Sequence, residues 1–200
     1  ASAFAARGVG KGDRVAFATR NLPEWPVVFF ACMALGAIAV PLNAWWTGPE
    51  LEYGIRDSGA KLLVVDGERH DRAAPHLAAF PDLSVIVTRA RGEIDGAERL
   101  EDMIGPPEGW SDLPDIPLPE VEIAPDDDAT IFYTSGTTGA PKGALGTHRN
   151  LATNILSAAY ASARRMLRKG EMPEPTVPKT ILATIPLFHV TACSATLMGA

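Results

Sequence analysis

Ile131-Phe-Tyr-Thr-Ser-Gly-Thr-Thr-Gly-Ala-Pro-Lys-Gly143 is the stretch from which the rest of the chain can be read. A short apolar run, Ile131 to Tyr133, gives way to hydroxyls and glycines, and a lysine follows. The glycines permit a tight, open backbone whose N–H groups converge on one point. Thr134, Ser135, Thr137 and Thr138 add four hydroxyl donors, and Lys142 adds a point charge on a flexible stem. Such a loop suits a polyphosphate. It is not a Walker A loop, which sets a glycine before its lysine and a Ser or Thr after it. Here Pro141 precedes Lys142 and Gly143 follows.

Tyr133-Thr-Ser-Gly-Thr-Thr-Gly-Ala-Pro-Lys-Gly143 resembles the phosphate-binding signature of the AMP-forming adenylate enzymes, which include acyl- and aryl-CoA synthetases, peptide-synthetase adenylation domains and luciferases. Ile185-Pro-Leu-Phe-His-Val190 is similar to the next motif of that family, in the form usual for CoA ligases. With weaker similarity upstream, the resemblance spans nearly the whole chain. It implies a two-step reaction: a carboxylate attacks the α-phosphorus of ATP, and the thiol of CoA then displaces AMP. By resemblance, Thr134, Ser135, Gly136, Thr137, Thr138, Gly139 and Lys142 would hold the nucleotide's phosphates, and Thr134 would lie near a bound Mg²⁺. His189 would face the acyl carboxylate or line the thiol tunnel, with Phe188 and Val190 as pocket wall. The alternative is a non-catalytic phosphate-binding or interaction module that keeps the loop as scaffold.

Working outward, the residues before the loop alternate between strand and helix patterns. Strands are expected at Arg14–Ala18, Ile38–Val40, Lys61–Val65, Ser84–Thr88 and Ala129–Thr134. Helices fall between them, near residues 1–7, 21–36, 47–59 and 69–80, with a short one at 100–104. Asn21 reads as an N-cap, and Thr47-Gly-Pro-Glu50 as a capping box with proline inside the first turn. This alternation implies parallel strands with crossover helices. The expected fold is therefore α/β, a partial N-terminal domain of an adenylate-forming enzyme with a mostly parallel sheet and flanking helices. Its parts would be βαβ layers over residues 1–104, a proline-rich crossing over 105–125, and the phosphate-loop region with its following helix and strand over 126–200. The family's C-terminal domain is expected to lie outside these residues, and the 200 residues alone to be inactive.

After the loop, Thr147-His-Arg-Asn-Leu151 opens a long amphipathic helix ending in Arg164, Arg165, Arg168 and Lys169, cations that suit a helix C-terminus. Residues 180–185 read as a buried strand carrying His189 at its end. The other histidines, His70, His76 and His148, are expected on exposed helix faces. Gly8-Val-Gly-Lys-Gly-Asp-Arg14 precedes a strand instead of following one, so it is a connection and not a dinucleotide loop. Asp126-Asp-Asp128 reads as a solvated turn, since three successive acids cannot all face one ion. Trp45 and Trp46 are adjacent and cannot both face one pocket from an extended segment, so packing beneath the next helix is expected.

Composition sets the outer limits. Charged residues make up 21% and hydrophobic ones 46%, which places the chain among globular proteins. A net charge of −6 argues against a nucleic-acid surface. Cys32 and Cys193 lie far apart without metal-ligand spacing and read as buried free thiols, which suits a cytoplasmic location. The apolar run Val27–Val40 is too short and too rich in alanine and glycine for a membrane span, so membrane association would be at most peripheral. Homodimer formation stays open, as does the identity of the acid.

Overall fold

The structure, a computed structural model, describes residues 1–134, 139–170 and 180–199. Its first half is dictated by strands that are apolar on both faces. After α1 (Ser2–Ala5), strand β1 (Arg14–Ala18) leads through helix α2 (Glu24–Leu35) to β2 (Ile38–Pro41). Helix α3 (Gly48–Ser58) then connects to β3 (Leu62–Asp66), and α4 (Gly67–Ala73) to β4 (Ser84–Thr88). A two-residue strand β5 (Glu98–Arg99) and helix α5 (Leu100–Ile104) follow. Strands β6 (Asp128–Thr134) and β7 (Lys142–Thr147) form a hairpin, followed by α6 (His148–Lys169) and the short α7 (Val190–Ala192). The sheet order is β5-β4-β3-β1-β2-β6-β7, parallel throughout except for the β6–β7 pair.

Residue alternation sorts the core into two layers. Val15, Phe17, Leu62, Val64 and Ile86 face one side, where Trp25, Phe29, Cys32 and Leu35 of α2 cover them. Ala16, Ala18, Leu63, Val65 and Val87 face the other, under Leu51 and Ile55 of α3. A strand covered on both faces needs an unbroken apolar run, and Leu62-Leu-Val-Val65 supplies one. Each fully buried Leu or Phe contributes on the order of 1.5–3 kcal/mol.

Helix limits follow local chemistry. Thr47 and Glu50 form the expected capping box, with Glu50 accepting from the Thr47 N–H at 2.8 Å. Gly36 and Gly59 end α2 and α3 in the left-handed conformation. The helix expected over 69–80 changes to a 3₁₀ helix at Ala74–Ala79, where Pro75 removes an N–H from the ladder. Residues 105–125 are irregular apart from a 3₁₀ turn at Pro107–Asp112.

Three expectations fail. Residues 180–185 form no strand: among the described residues no neighbour pairs with them, and Leu182 is 84% exposed. Asn21 does not cap α2, whose N-cap is Pro23. Its amide instead donates to the carbonyls of Ile185 (3.0 Å) and Ala183 (3.4 Å), and its carbonyl accepts from the Leu187 N–H at 2.8 Å. The histidines are not all on exposed faces. His70 is buried, His148 is half-buried, and His76 Nδ1 lies 2.7 Å from Glu52. Among the described residues no helix is long and apolar enough to cross a membrane.

Candidate functional site

Strand β6 alternates between the two core layers. Phe132 packs on the α2 side, while Ile131 and Tyr133 pack on the α3 side. The strand runs out at Thr134, which lies opposite Lys142 at the start of β7. Ser135, Gly136, Thr137 and Thr138 fall outside the described residues. The two limbs of the hairpin are close: the Thr134 hydroxyl points at the Lys142 carbonyl, 3.4 Å away. Lys142 is exposed, and among the described residues its ammonium has no ion-pair partner. Gly143 is required by packing, because a Cβ there would sit 2.6 Å from Ile131 Cγ2.

A cavity of about 420 Å³ opens beside this hairpin. Thr134 and Pro141, one from each limb, line it together with Trp46, Glu50, Phe188 and His189. The sequence thus places Thr134 and His189, 55 positions apart, at one space. His189 arrives without the expected strand. The Asn21 side chain clasps the backbone at 183–187, Leu187 is buried in the core as an anchor, and α7 begins just after His189. His189 itself is exposed at the rim, and its carbonyl accepts the first helical bonds, from Ala192 and Cys193.

The two tryptophans divide as their adjacency requires. Trp46 is buried beneath α3, close against Gly54, where a Cβ would come within 2.7 Å of its ring. Trp45, also expected beneath that helix, departs from the expectation: it turns outward, half-exposed, edge-on to Phe188 at 5.2 Å and beneath the Arg20 guanidinium at 5.3 Å. The Trp45 side forms a second cavity of about 380 Å³, and Phe188 borders both. The turn carrying these residues is fixed from below. Buried Arg69 donates to the Ala44 carbonyl at 2.7 Å and pairs with Asp66 at 3.1 Å. Arg72 donates to the Trp46 carbonyl at 3.2 Å.

Helix α3 supports the hairpin through side chains that the sequence did not single out. The Tyr133 hydroxyl donates to Asp57 at 2.6 Å, and the Tyr53 hydroxyl donates to the Pro141 carbonyl at 2.8 Å. Burial, and then the Asp57 carboxylate, push the Tyr133 hydroxyl well above its ordinary pKa, so it stays a donor. The one available signal was the i, i+4 spacing of Tyr53 and Asp57, which puts both on one helix face.

The side chains around the cavity offer little to a divalent cation. No group of three His, Cys, Asp or Glu side chains could hold one among the described residues. Thr134 offers one hydroxyl oxygen, and the Glu50 carboxylate is committed to its cap. Thr134 would therefore offer at most one oxygen to a hard ion such as Mg²⁺, whose other ligands would be phosphates and waters. Asp126 and Asp127 are engaged elsewhere, by Arg149 at 2.6 Å and Lys11 at 2.7 Å, and both carboxyls are held below their usual range by those cations. The acidic turn is therefore a solvated, salt-bridged feature.

Comparison with known proteins decides the family. Residues 1–200 match the family described as AMP-binding enzyme. The chain belongs to that family. It is 31% identical over 209 residues to 4-coumarate–CoA ligase 2 of Oryza sativa subsp. japonica, covering 100% of this chain and 35% of that protein. It is 32% identical over 200 residues to the long-chain-fatty-acid–CoA ligase FadD13 of Mycobacterium tuberculosis, again covering 100% and 35%. The crystal structure of apo MatB from Rhodopseudomonas palustris superposes with a TM-score of 0.71 at 28% identity, over 99% of this chain and 35% of that one. The chain spans about a third of the length of the curated relatives it matches. The α/β fold with its mostly parallel sheet is thus the fold of this AMP-binding family's members.

Proposed function

We propose that the full-length protein is an ATP-dependent acid–CoA ligase that forms AMP, with a fatty or aromatic carboxylic acid as substrate. The observation that carries this reading is the meeting of both hairpin limbs with the Phe188–His189 segment around one cavity. Relatives named for a coumarate and for a long-chain fatty acid support the class of acid without separating its two kinds.

In the first step an acid oxygen bonds to the α-phosphorus of ATP while the bond from that phosphorus to the bridging oxygen breaks, releasing pyrophosphate. Negative charge builds on the leaving diphosphate. Lys142 and the donors of residues 134–139 answer it with a cationic charge and N–H and O–H dipoles aimed at where that charge develops. Mg²⁺, when bound, neutralises phosphate charge, and Thr134 would contribute one oxygen to it. His189 orients the acid carboxylate at the rim, and the aromatic walls of Trp46 and Phe188 exclude water. In the second step the CoA sulfur attacks the acyl carbonyl and AMP leaves with the bonding pair.

The buried thiols of Cys32 and Cys193 suit a reducing cytoplasm. The 200 residues alone are expected to have negligible turnover. Acid-dependent ATP–pyrophosphate exchange by the full-length protein, across a panel of fatty and aromatic acids, tests the reading. Lys142→Ala should slow exchange by about 10²-fold, as loss of one charge-stabilising donor does elsewhere. His189→Ala should raise the KM for the acid. ATP binding without release of its pyrophosphate in the presence of any acid would instead match a non-catalytic phosphate-binding module.

A further inference from the structure

The β6–β7 hairpin has a mechanical weakness. β7 is an exposed edge strand, and its sequence Lys-Gly-Ala-Leu-Gly-Thr carries two glycines. Among the described residues its one ladder partner is β6. Glycine-rich backbone loses more entropy on ordering than any other, so the ladder by itself is a poor clamp for a loop that must present its donors in a fixed pattern. A phosphate loop that wanders forfeits the advantage of prearranged dipoles.

Helix α3 supplies the missing constraint. It is rigidly seated, with Leu51 and Ile55 fully in the core and its start locked by the Thr47–Glu50 box. Tyr53 and Asp57, one turn apart, reach the two limbs separately. Asp57 holds the β6 limb through the Tyr133 hydroxyl, next to Thr134. Tyr53 holds the β7 limb through the Pro141 carbonyl, next to Lys142. That carbonyl shares a rigid peptide plane with the Lys142 N–H, so fixing one fixes the direction from which the lysine departs. Proline has no N–H of its own, so the carbonyl is the only backbone handle at that residue. The Tyr53 ring is itself braced edge-on against Tyr133 at 6.4 Å, and Tyr133 against Trp46 at 5.4 Å.

We propose that Tyr53 is a positioning residue for adenylation, its hydroxyl holding the Pro141–Lys142 peptide so that the lysine limb of the loop meets ATP in register. The inference rests on the ligase reading above. It assigns Tyr53 to the ATP half of the site, with Asp57 as its counterpart on the other limb, and leaves the acid and CoA to the Phe188–His189 side.

The test uses the full-length protein in ATP–pyrophosphate exchange. Tyr53→Phe removes one oxygen and keeps the ring. It should raise the KM for ATP about three- to tenfold, the range for one lost hydrogen bond, with the KM for the acid and the thermal midpoint little changed. Asp57→Asn, which keeps an acceptor for Tyr133, should move the same constant in the same direction by less. In a Lys142→Ala background Tyr53→Phe should add almost nothing, because both act on one contact. An unaltered KM for ATP in Tyr53→Phe, equal shifts in ATP and acid constants, or full additivity with Lys142→Ala overturns the inference while leaving the ligase reading intact. Wild-type protein without acid-dependent exchange removes the ligase reading itself, whatever Tyr53 does.

Discussion

The five strands from β5 to β2 and the region from β6 onward are built on different terms. In the first, Leu62 to Val65 and Val15 to Ala18 are sealed between α2 and α3. In the second, α6 has no buried residue along its 22 positions, Tyr160 is 68% exposed and Leu167 71%. Yet the candidate site belongs mostly to the second region. The contrast teaches that packing supplies a platform, while the site is mounted on it by a few long-range polar ties: Asn21 to 183–187, Tyr53 to Pro141, Asp57 to Tyr133.

Substitution can break this contrast if it is wrong. Leu63→Ala, at a position with no exposure, should lower unfolding free energy by about 3–4 kcal/mol, read from the denaturant midpoint, since the cavity cannot collapse between two covered faces. The two thiols offer a test that spans both regions. Burial pushes Cys32 and Cys193 each up to about 12. Their folded-state pKa values are raised, so the native state keeps protons that the unfolded chain sheds above about 8.5. Stability should therefore fall as pH rises from about 9 toward 12, by up to about 1.4 kcal/mol per pH unit for each thiol. Cys32→Ala should remove half of that slope in pH-dependent unfolding.

The caps should ignore the contrast, because they act locally. Thr47→Ala in α3 and Thr147→Ala in α6 each remove a capping-box residue, and each should cost about 1 kcal/mol. The smallest effect belongs to Leu167→Ala, expected to change the midpoint by less than about 0.5 kcal/mol at its exposed position. A loss near that of Leu63→Ala would mean that α6 is packed in solution and would erase the distinction.

The same contrast explains what could be read from residues alone. Ser84–Thr88, Leu100–Ile104 and the Thr47 box were legible to the residue because their causes are local: apolar runs, caps and punctuating glycines. β7 was not, since Lys142 to Thr147 is polar and glycine-rich and becomes a strand only by pairing with β6. Residues 180–185 misled for the opposite reason: Ile181-Leu-Ala-Thr-Ile185 has strand composition but no partner among the described residues. Asn21 has the chemistry of a cap and is used as a clasp, a choice made by backbone more than 160 positions away. Within the site, the motifs brought Thr134 and His189 to one cavity, and Trp46 lies beneath α3 as expected while also lining that cavity; Tyr53 and Asp57 were not singled out because their roles depend on α3 crossing the hairpin.

The Asn21 contacts span 162 to 166 residues, and this separation has a temporal meaning. A chain emerging from the ribosome can assemble β1 to β4 as soon as they appear, since domains settle from the N-terminal side during synthesis. Asn21 must wait for Ile185 and Leu187 until more than 160 further residues have been made. The wall bearing His189 is thus delivered well after the platform beneath it, and a pause in translation before residue 185 would leave that platform with one side of its chamber still missing.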